Sequence, residues 1–138
     1  MNIDSITNGI VLDHITAGRS MEVYHYLNLD RLNCSIAIIK NVKSNKMGRK
    51  DIIKIDETID INLDILGYLD PNISVSIIRN EKCVEKFQLA LPEQLENVIS
   101  CKNPRCITSV EPDADQLFYL ADSQKQLYRC RYCDTAYK

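Results

Sequence analysis

The residues from Cys34 to Asp56, CSIAIIKNVKSNKMGRKDIIKID, contain the pattern that decides the fold. The isoleucine-rich run Cys34–Lys40 and the alternating run Lys50–Asp56 are each typical of a β-strand. Between them, Asn41–Arg49 is polar and contains a glycine, so we expect a loop that joins two consecutive strands. A helical pattern precedes this pair and another follows it, which predicts a sheet covered by helices.

The segments on either side of this pair complete a β-α-β-β-α-β order, with one more strand at its end. This is the split β-α-β, or ferredoxin-like, plan, in which two helices cover one face of an antiparallel sheet. We therefore predict the α+β class for this part of the chain. The flanking predicted elements are the strand Gly9–Asp13, the helix Arg19–Leu29, the helix Leu63–Leu69, and the strands Ile73–Ile78 and Lys82–Gln88.

Composition excludes several classes of protein. The chain has 138 residues, 45% apolar and 26% charged, which is the profile of a globular protein. Its formal net charge of −2 argues against a histone-like polycation and against an acidic disordered chain. No apolar run approaches the ~20 residues of a membrane helix, and Met1-Asn2-Ile3-Asp4 does not begin like a signal peptide. We expect a cytoplasmic protein that does not bind a membrane.

The second predicted domain follows Leu91-Pro92-Glu93, where the strand and helix pattern breaks. We therefore place the domains at residues 1–92 and 93–138. Residues 99–138 contain few aliphatic side chains, and a segment of about 40 residues usually needs a metal or disulfides to fold. We expect a small all-β domain that binds a metal.

Four of the six cysteines form the ligand set of that domain. Cys101 and Cys106 have the spacing C-x4-C, and Cys130 and Cys133 have the spacing C-x2-C. Two such pairs are typical of tetrahedral zinc sites, and four thiolates leave no position for water or substrate. We therefore predict one structural zinc ion per chain. Two disulfides, four free thiols or an iron–sulfur cluster are the alternatives.

Lysines on the strand after the loop form a candidate anion site. Alternation places Lys50 and Lys54 on one face, about 13 Å apart, a separation that suits the two ends of a nucleotide or polyphosphate. Lys86 joins them if its strand is a neighbour. For the other cationic residues of this region, the pattern favours a solvated loop and strand edge: Lys40, Lys43, Lys46 and Arg49.

Asp13 and His14 come at the predicted end of the first strand. A carboxylate beside an imidazole suits catalysis or sugar-phosphate binding, and the alternative is a surface pair at a strand end. The sequence contains neither a G-x-x-x-x-G-K-[ST] nor a G-x-G-x-x-G motif, and no nucleophile pattern accompanies the pair. The isolated cysteines Cys34 and Cys83 lie on predicted strands, and we interpret them as small core residues.

Several motifs occur together in one order along nearly the whole chain. They are Gly9-Ile-Val-Leu-Asp-His-Ile15, Met47-Gly-Arg-Lys-Asp-Ile-Ile-Lys-Ile55, Leu91-Pro-Glu93 and the two cysteine pairs. In this combination the chain resembles the regulatory chain family of aspartate carbamoyltransferase. The motif Met-Gly-Arg-Lys-Asp followed by a four-cysteine module is highly specific.

The resemblance implies a noncatalytic subunit of an enzyme in pyrimidine biosynthesis. An N-terminal allosteric domain would bind nucleoside triphosphates, with CTP as inhibitor, ATP as activator and UTP in some members. A C-terminal zinc domain would dock on the catalytic chain, which transfers the carbamoyl group to aspartate. Regulatory chains would associate as dimers.

The resemblance also implies site residues. Asp13 resembles a ribose-binding aspartate, His14 a phosphate-side histidine, and Lys50, Lys54 and Lys86 match lysines around the ribose and triphosphate. The remaining implied nucleotide contacts, mostly to the base, are Ile3, Asp4, Ser5, Ile6, Val11, Ser76 and Ile78. Cys101, Cys106, Cys130 and Cys133 match the zinc ligands.

Two residues depart from the family pattern, since Ser76 stands where many members have asparagine and Glu81 stands near a position where some have tyrosine. The resemblance places both by the nucleotide pocket, where they bear on which effectors bind.

Two other functions compete with this interpretation. A ligand-sensing zinc ribbon that binds nucleic acid is disfavoured, because residues 99–138 carry six cationic against five acidic side chains. A small phosphohydrolase would use Asp13 and His14.

Overall fold

The structure is a computed structural model that describes residues 6–137. The chain divides into two compact units, the first ending at Ala90 and the second beginning at Leu91. The elements of the first unit are β1 (Gly9–Thr16), α1 (Ser20–Tyr26), a 3₁₀ turn (Leu29–Arg31), β2 (Ile36–Ser44), β3 (Gly48–Ile55), α2 (Leu63–Leu69), β4 (Ser74–Arg79) and β5 (Lys82–Gln88).

The five strands of the first unit form one sheet in the order β2-β3-β1-β4-β5, and every neighbouring pair is antiparallel. The first four strands have the ferredoxin-like arrangement, because each strand that follows a helix is separated from its predecessor by a third strand. The last strand extends the sheet as a hairpin partner of β4. The predicted α+β fold with an antiparallel sheet and two helices is confirmed.

One face of this sheet forms the core with the two helices. Ile53 and Ile55 of β3 are fully buried, as are Val23 of α1 and Leu66 of α2. The alternate residues of β3, including Lys50 and Lys54, are only partly buried and lie on the opposite face. We call this opposite face the outer face. Because side chains alternate along each strand, the side chains of this face are the ones that a ligand can contact.

The helices differ in how closely they follow the sequence pattern. The second helix has the predicted bounds, because the Asn62 side chain accepts hydrogen bonds from the N–H groups of Asp64 and Ile65 at its start. The first helix is shorter than predicted, since Asn28 adopts a left-handed conformation with φ of 54°. That residue separates α1 from the 3₁₀ turn.

Two strands extend beyond their predicted ends. β1 does not end at Asp13–His14 but continues to Thr16 through a β-bulge, where His14 has φ of 60°. The predicted polar loop after β2 is mostly strand, so only residues 45–47 connect β2 to β3. A second bulge lies in β2 at Asn41, also with φ of 60°. Bulges bend a strand and redirect its side chains, which simple alternation does not predict.

A buried carboxylate fixes the loops around these bulges. Asp51 of β3 is fully buried and accepts hydrogen bonds from the N–H groups of Asn41 at 2.8 Å, Gly18 at 3.1 Å and Ser20 at 3.2 Å. Burial acts to raise the pKa of Asp51, but the donated hydrogen bonds, beginning with that from Asn41, outweigh it and lower the pKa. The ionised carboxylate therefore holds β2, β3 and the start of α1 together.

The second unit is a small three-stranded antiparallel sheet with one helical turn. Its elements are β6 (Gln94–Glu96), α3 (Ile107–Val110), β7 (Leu117–Asp122) and β8 (Leu127–Cys130), with strand order β6-β7-β8. Leu95, Phe118 and Tyr128 are buried in its core. The predicted small β domain is confirmed. Within residues 6–137, none of the helices has the length and apolar character needed to cross a bilayer.

Candidate functional site

The four clustered cysteines of the second unit form a compact metal centre. Cys101 and Cys106 flank the loop before α3, Cys130 ends β8, and Cys133 lies in the turn that follows. Their four sulfur atoms lie within 4.8 Å of one another. Sγ of Cys101 is 3.6 Å from Sγ of Cys133, and Sγ of Cys106 is 3.7 Å from Sγ of Cys130.

These distances fit a tetrahedral zinc ion. With Zn–S bonds of about 2.3 Å, ligand sulfurs at tetrahedral angles are separated by about 3.8 Å. They are too long for a disulfide, whose sulfurs are about 2.05 Å apart, and all six cysteines of the chain are free. A closed set of four thiolates holds the metal as a structural element and leaves no position for substrate.

Hydroxyl groups near the sulfurs divide the thiols into two kinds. The Thr108 hydroxyl donates to Sγ of Cys106 at 3.1 Å and lowers the pKa of that thiol. The Thr135 hydroxyl lies 3.2 Å from Sγ of Cys133 and lowers the pKa of the Cys133 thiol to about 6. Burial raises the pKa of Cys101 to about 12 and also raises that of Cys130. A bound cation stabilises all four as thiolates.

The outer face of the first unit presents its side chains in cross-strand rows. One row runs from Lys54 through Val11 and Ser76 to Lys86, because each of these residues stands opposite the next. Directly opposed residues point to the same face of a sheet. The prediction that Lys86 joins Lys50 and Lys54 required its strand to be a neighbour of β3. The two strands are not neighbours, because β1 and β4 lie between them.

A cleft of about 450 Å³ opens on this face near the start of β1. Its lining contains five of the predicted nucleotide contacts, which are Ile6, Val11, Asp13, Lys54 and Ile78. It also contains Glu81, which the resemblance places by the nucleotide pocket, and two residues that sequence reasoning did not assign to a site, Ile52 and Cys83. The lining therefore combines apolar side chains with three charged ones, Asp13, Lys54 and Glu81.

A second cleft, of about 510 Å³, lies toward the far end of β1 and has no apolar side chain in its lining. His14 and Lys50 were predicted site residues. The other four come from the β2–β3 hairpin: Lys43, Ser44, Asn45 and Lys46. The two lysines among them were expected to be solvated. None of the six lining residues is acidic, so the cleft is suited to an anion.

The pair Asp13 and Lys50 connects the two clefts, since Asp13 lines the first and Lys50 the second. Lys50 Nζ lies 2.9 Å from Asp13 Oδ1, and the backbone N–H of His14 donates to the same oxygen at 2.6 Å. Burial acts to raise the pKa of Asp13, and the hydrogen bond from Lys50, followed by that from His14, lowers it overall. Nδ1 of His14 is 2.9 Å from the Ser74 hydroxyl, which fixes the ring.

Some predicted contacts do not line either cleft. Ser76 and Lys86 share the outer-face row but are absent from both linings. Ile3, Asp4 and Ser5 lie outside the described residues. The interpretation of Cys83 as a core residue is wrong, because it is exposed on the edge strand β5 and faces the first cleft, whereas Cys34 is half-buried and packs against the core.

Comparison with known proteins identifies relatives along nearly the entire chain. A family model described as the allosteric domain of the aspartate carbamoyltransferase regulatory chain matches residues 1–90, and one described as the metal binding domain of that chain matches residues 93–138. An aspartate carbamoyltransferase regulatory chain of Clostridium tetani is 50% identical and covers 100% of this chain and 96% of its own length. One from Clostridium botulinum is 48% identical over 99% of this chain and 94% of its own length. One from Bifidobacterium longum is 47% identical over 97% of this chain and 96% of its own length.

Proposed function

The chain belongs to the aspartate carbamoyltransferase regulatory chain family, and we propose that it senses nucleoside triphosphates on its outer face and docks on the catalytic chain through its metal-binding unit. It is a noncatalytic subunit with an allosteric and a metal-binding domain. CTP, ATP and UTP are the proposed effectors. Residues 1–92 are the proposed nucleotide-binding domain and residues 93–138 the proposed docking domain.

The change of chemistry along β1 is the observation that carries the nucleotide proposal. Val11 of β1 lines the apolar cleft, and His14 lines the basic cleft. Asp13 lies between these two residues along the strand, about 7 Å from Val11 at about 3.3 Å per residue. A nucleotide has the same sequence of chemistry: an apolar base, a sugar with hydroxyl donors, and an anionic phosphate chain.

This match assigns a role to each end of the site. The base would pack on Ile6, Val11 and Ile78, where burial of its apolar surface is favourable. The Asp13 carboxylate would accept hydrogen bonds from ribose hydroxyls. His14 and Lys50 would bind phosphate oxygens through charge-assisted contacts, with the His14 ring oriented by Ser74.

Exposed apolar side chains near the metal centre support docking by the second unit. Ile107 and Val110 are 48% and 68% exposed and are three residues apart on α3, which begins directly after the ligand Cys106. Tyr132, between the ligands Cys130 and Cys133, is 46% exposed. Exposed apolar groups of this kind are typical of a protein interface. We propose that they contact the catalytic chain and that the metal holds them in place.

Two further proposals concern the assembly and location of the chain. The family supports self-association as regulatory dimers, and both edge strands of the described sheet, β2 and β5, have free edges for pairing. Six free cysteines and a thiolate metal centre are typical of a reducing compartment, which supports a cytoplasmic location.

Reconstitution with the catalytic chain tests the proposed function. Aspartate saturation should be measured for the catalytic chain alone and with this chain, each with and without CTP or ATP. We expect the effectors to shift the saturation curve only when this chain is present, because linkage requires an effector to bind differently to the two states of the enzyme. If the chains assemble and no effector shifts the curve, the sensor proposal is wrong.

A further inference from the structure

A glycine at the start of β1 has no space for a side chain. Gly9 is buried, and a Cβ atom added to it would overlap the carbonyl oxygen of Ile55 and lie 2.7 Å from Cγ2 of Ile6. Non-bonded carbon atoms pack at about 3.5–4.0 Å, so neither neighbour leaves room for the added atom. The side chain of Ile6 therefore occupies the space that a side chain at residue 9 would need.

Of these two neighbours, Ile55 is fixed on both sides. Its strand lies between β1 and β2, and Ile55 stands opposite Ile10 on one side and Ile36 on the other. Its side chain is also fully buried in the core. A methyl group at residue 9 would therefore displace Ile6 and the segment that precedes β1, because the backbone of β3 cannot move away.

Two hydrogen bonds attach that segment to the turn between β4 and β5. The Glu81 N–H donates to the Thr7 carbonyl at 2.9 Å, and the Asn80 N–H donates to the Asn8 side chain at 3.3 Å. Ile6 and Glu81 both line the apolar cleft. The segment and the turn therefore form one continuous wall of the cleft, and this wall joins the sheet at the start of β1.

From these contacts we infer that Gly9 is a positioning residue of the nucleotide site. Because Gly9 lacks a side chain, Ile6 packs directly on the start of β1 and presents its own side chain to the apolar cleft. Gly9 lines neither cleft, so it acts on a ligand only through Ile6. This inference rests on the proposed function, since it requires a nucleotide base that Ile6 contacts.

Two ligands separate the base end of the site from the phosphate end. CTP has a base, whereas inorganic triphosphate has three linked phosphates and no base. Titration calorimetry on the full chain should show that Gly9→Ala and Ile6→Ala each bind CTP about tenfold more weakly than wild type, because both remove an apolar contact with the base. Affinity for inorganic triphosphate should not change. Equal losses for both ligands, or wild-type affinity for CTP in Gly9→Ala, would overturn the inference.

The double variant shows whether Gly9 acts through Ile6. If it does, Gly9→Ala causes no further loss of CTP affinity in a chain that already carries Ile6→Ala. Losses that add in the double variant would contradict the inference, because they would mean that Gly9 acts on the ligand by another route.

Gly18→Ala is the matched control for a glycine substitution that strains the fold. Gly18 has φ of 95°, which alanine adopts only with strain, but an added Cβ meets no atom within 4 Å and Gly18 lines neither cleft. This variant should lower the free energy of unfolding and leave both affinities at wild-type values. A loss of CTP affinity equal to that of Gly9→Ala would show that general destabilisation explains the effect.

A measurement on the unaltered chain decides the case in which Gly9→Ala does not fold. NMR should detect a nuclear Overhauser effect between the Ile6 methyl groups and the Hα protons of Gly9, and CTP should shift those methyl signals. The absence of either result would contradict the inference. If the wild-type chain binds neither CTP nor inorganic triphosphate, the proposed nucleotide site itself is wrong. If wild type and Gly9→Ala bind both ligands equally well, the site stands and the role of Gly9 is rejected.

Discussion

The 2.9 Å ion pair between Lys50 Nζ and Asp13 Oδ1 joins the two clefts of the outer face. It links a residue proposed to bind ribose with one proposed to bind phosphate, although 37 positions separate them in the chain. The bulge at His14 turns β1 at this point, so both side chains lie on the same face as the proposed nucleotide. The pair gives Lys50 a fixed position before any ligand binds.

Lys50→Ala should weaken nucleoside triphosphates by about 10- to 100-fold and the corresponding nucleosides little. A charge-assisted hydrogen bond contributes about 1.5–3 kcal/mol, and this contact exists only when phosphate is present. Lys86→Ala should follow the same pattern with a smaller loss, because Lys86 lines neither cleft. Calorimetric titration of a nucleoside and its triphosphate into each variant checks this. An equal loss for both ligands would place Lys50 away from the phosphates.

Lys46→Ala should reduce triphosphate affinity by about fivefold, since an exposed charge contributes up to about 1 kcal/mol. Lys46 lies in the three-residue loop between β2 and β3 and lines the basic cleft. Lys40→Ala is the control, because Lys40 is exposed on β2 outside the cleft and carries the same charge. Similar losses in the two variants would mean that only the net charge of the surface matters.

Asp51→Asn should lower the free energy of unfolding by about 2–4 kcal/mol at pH 7, because three N–H groups that donate to a buried side chain lose a charged acceptor. The folded-state pKa of Asp51 is below its ordinary value of 3.8, so its stabilisation is present above that pH and is lost as pH falls through the folded-state pKa. The difference in free energy of unfolding between wild type and Asp51→Asn should therefore narrow below about pH 4. Urea denaturation at pH 7 and pH 3 measures it.

The matched control for this prediction is Asp60→Asn, at an exposed position. We expect it to change the free energy of unfolding by less than about 0.5 kcal/mol. A difference between wild type and Asp51→Asn that stays constant from pH 7 to pH 3 would show that the charge of Asp51 does not contribute to stability.

Cys130→Ser should remove the zinc ion and unfold the second unit, while the first unit stays folded because its core contains no metal ligand. Metal binding to four thiolates supplies folding free energy directly in small domains of this kind. Metal analysis of the purified protein should fall from about one zinc ion per chain to nearly none. Cys83→Ser should keep its zinc, since Cys83 lies outside the cluster. Full zinc content in Cys130→Ser would contradict the assignment.

Much of the fold follows from local pattern. The isoleucine-rich and alternating runs predicted the central strands, the bounds of α2 were predicted without error, and the spacing of the cysteines predicted their cluster. Local pattern did not predict the bulges, because left-handed conformations at His14 and Asn41 depend on what the neighbouring strands require. For the same reason the hydrogen-bond donors to Asp51, which come from β2 and from the segment that contains Gly18 and Ser20, could not be assigned from sequence.

The candidate site divides in the same way. Residues on regular strand positions, such as Lys50 and Lys54, were placed on one shared face by period-two alternation, and the structure has both on the outer face. Glu81 and Lys46 lie in the connections between strands, where side-chain direction depends on turn geometry. Cys83 was interpreted as a core residue because it lies on a predicted strand, whereas that strand, β5, is an exposed edge of the sheet.

The central claim is that a nucleoside triphosphate binds across the outer face of the first unit. Backbone amide NMR of the full chain, titrated with CTP, locates the binding surface most directly. We predict shift changes at Gly9, Val11, His14, Lys50 and Lys54, with saturation at one nucleotide per chain and residues of the metal-binding unit unchanged. An absence of shift changes at saturating CTP, ATP and UTP, or changes confined to residues 91–137, would contradict the account.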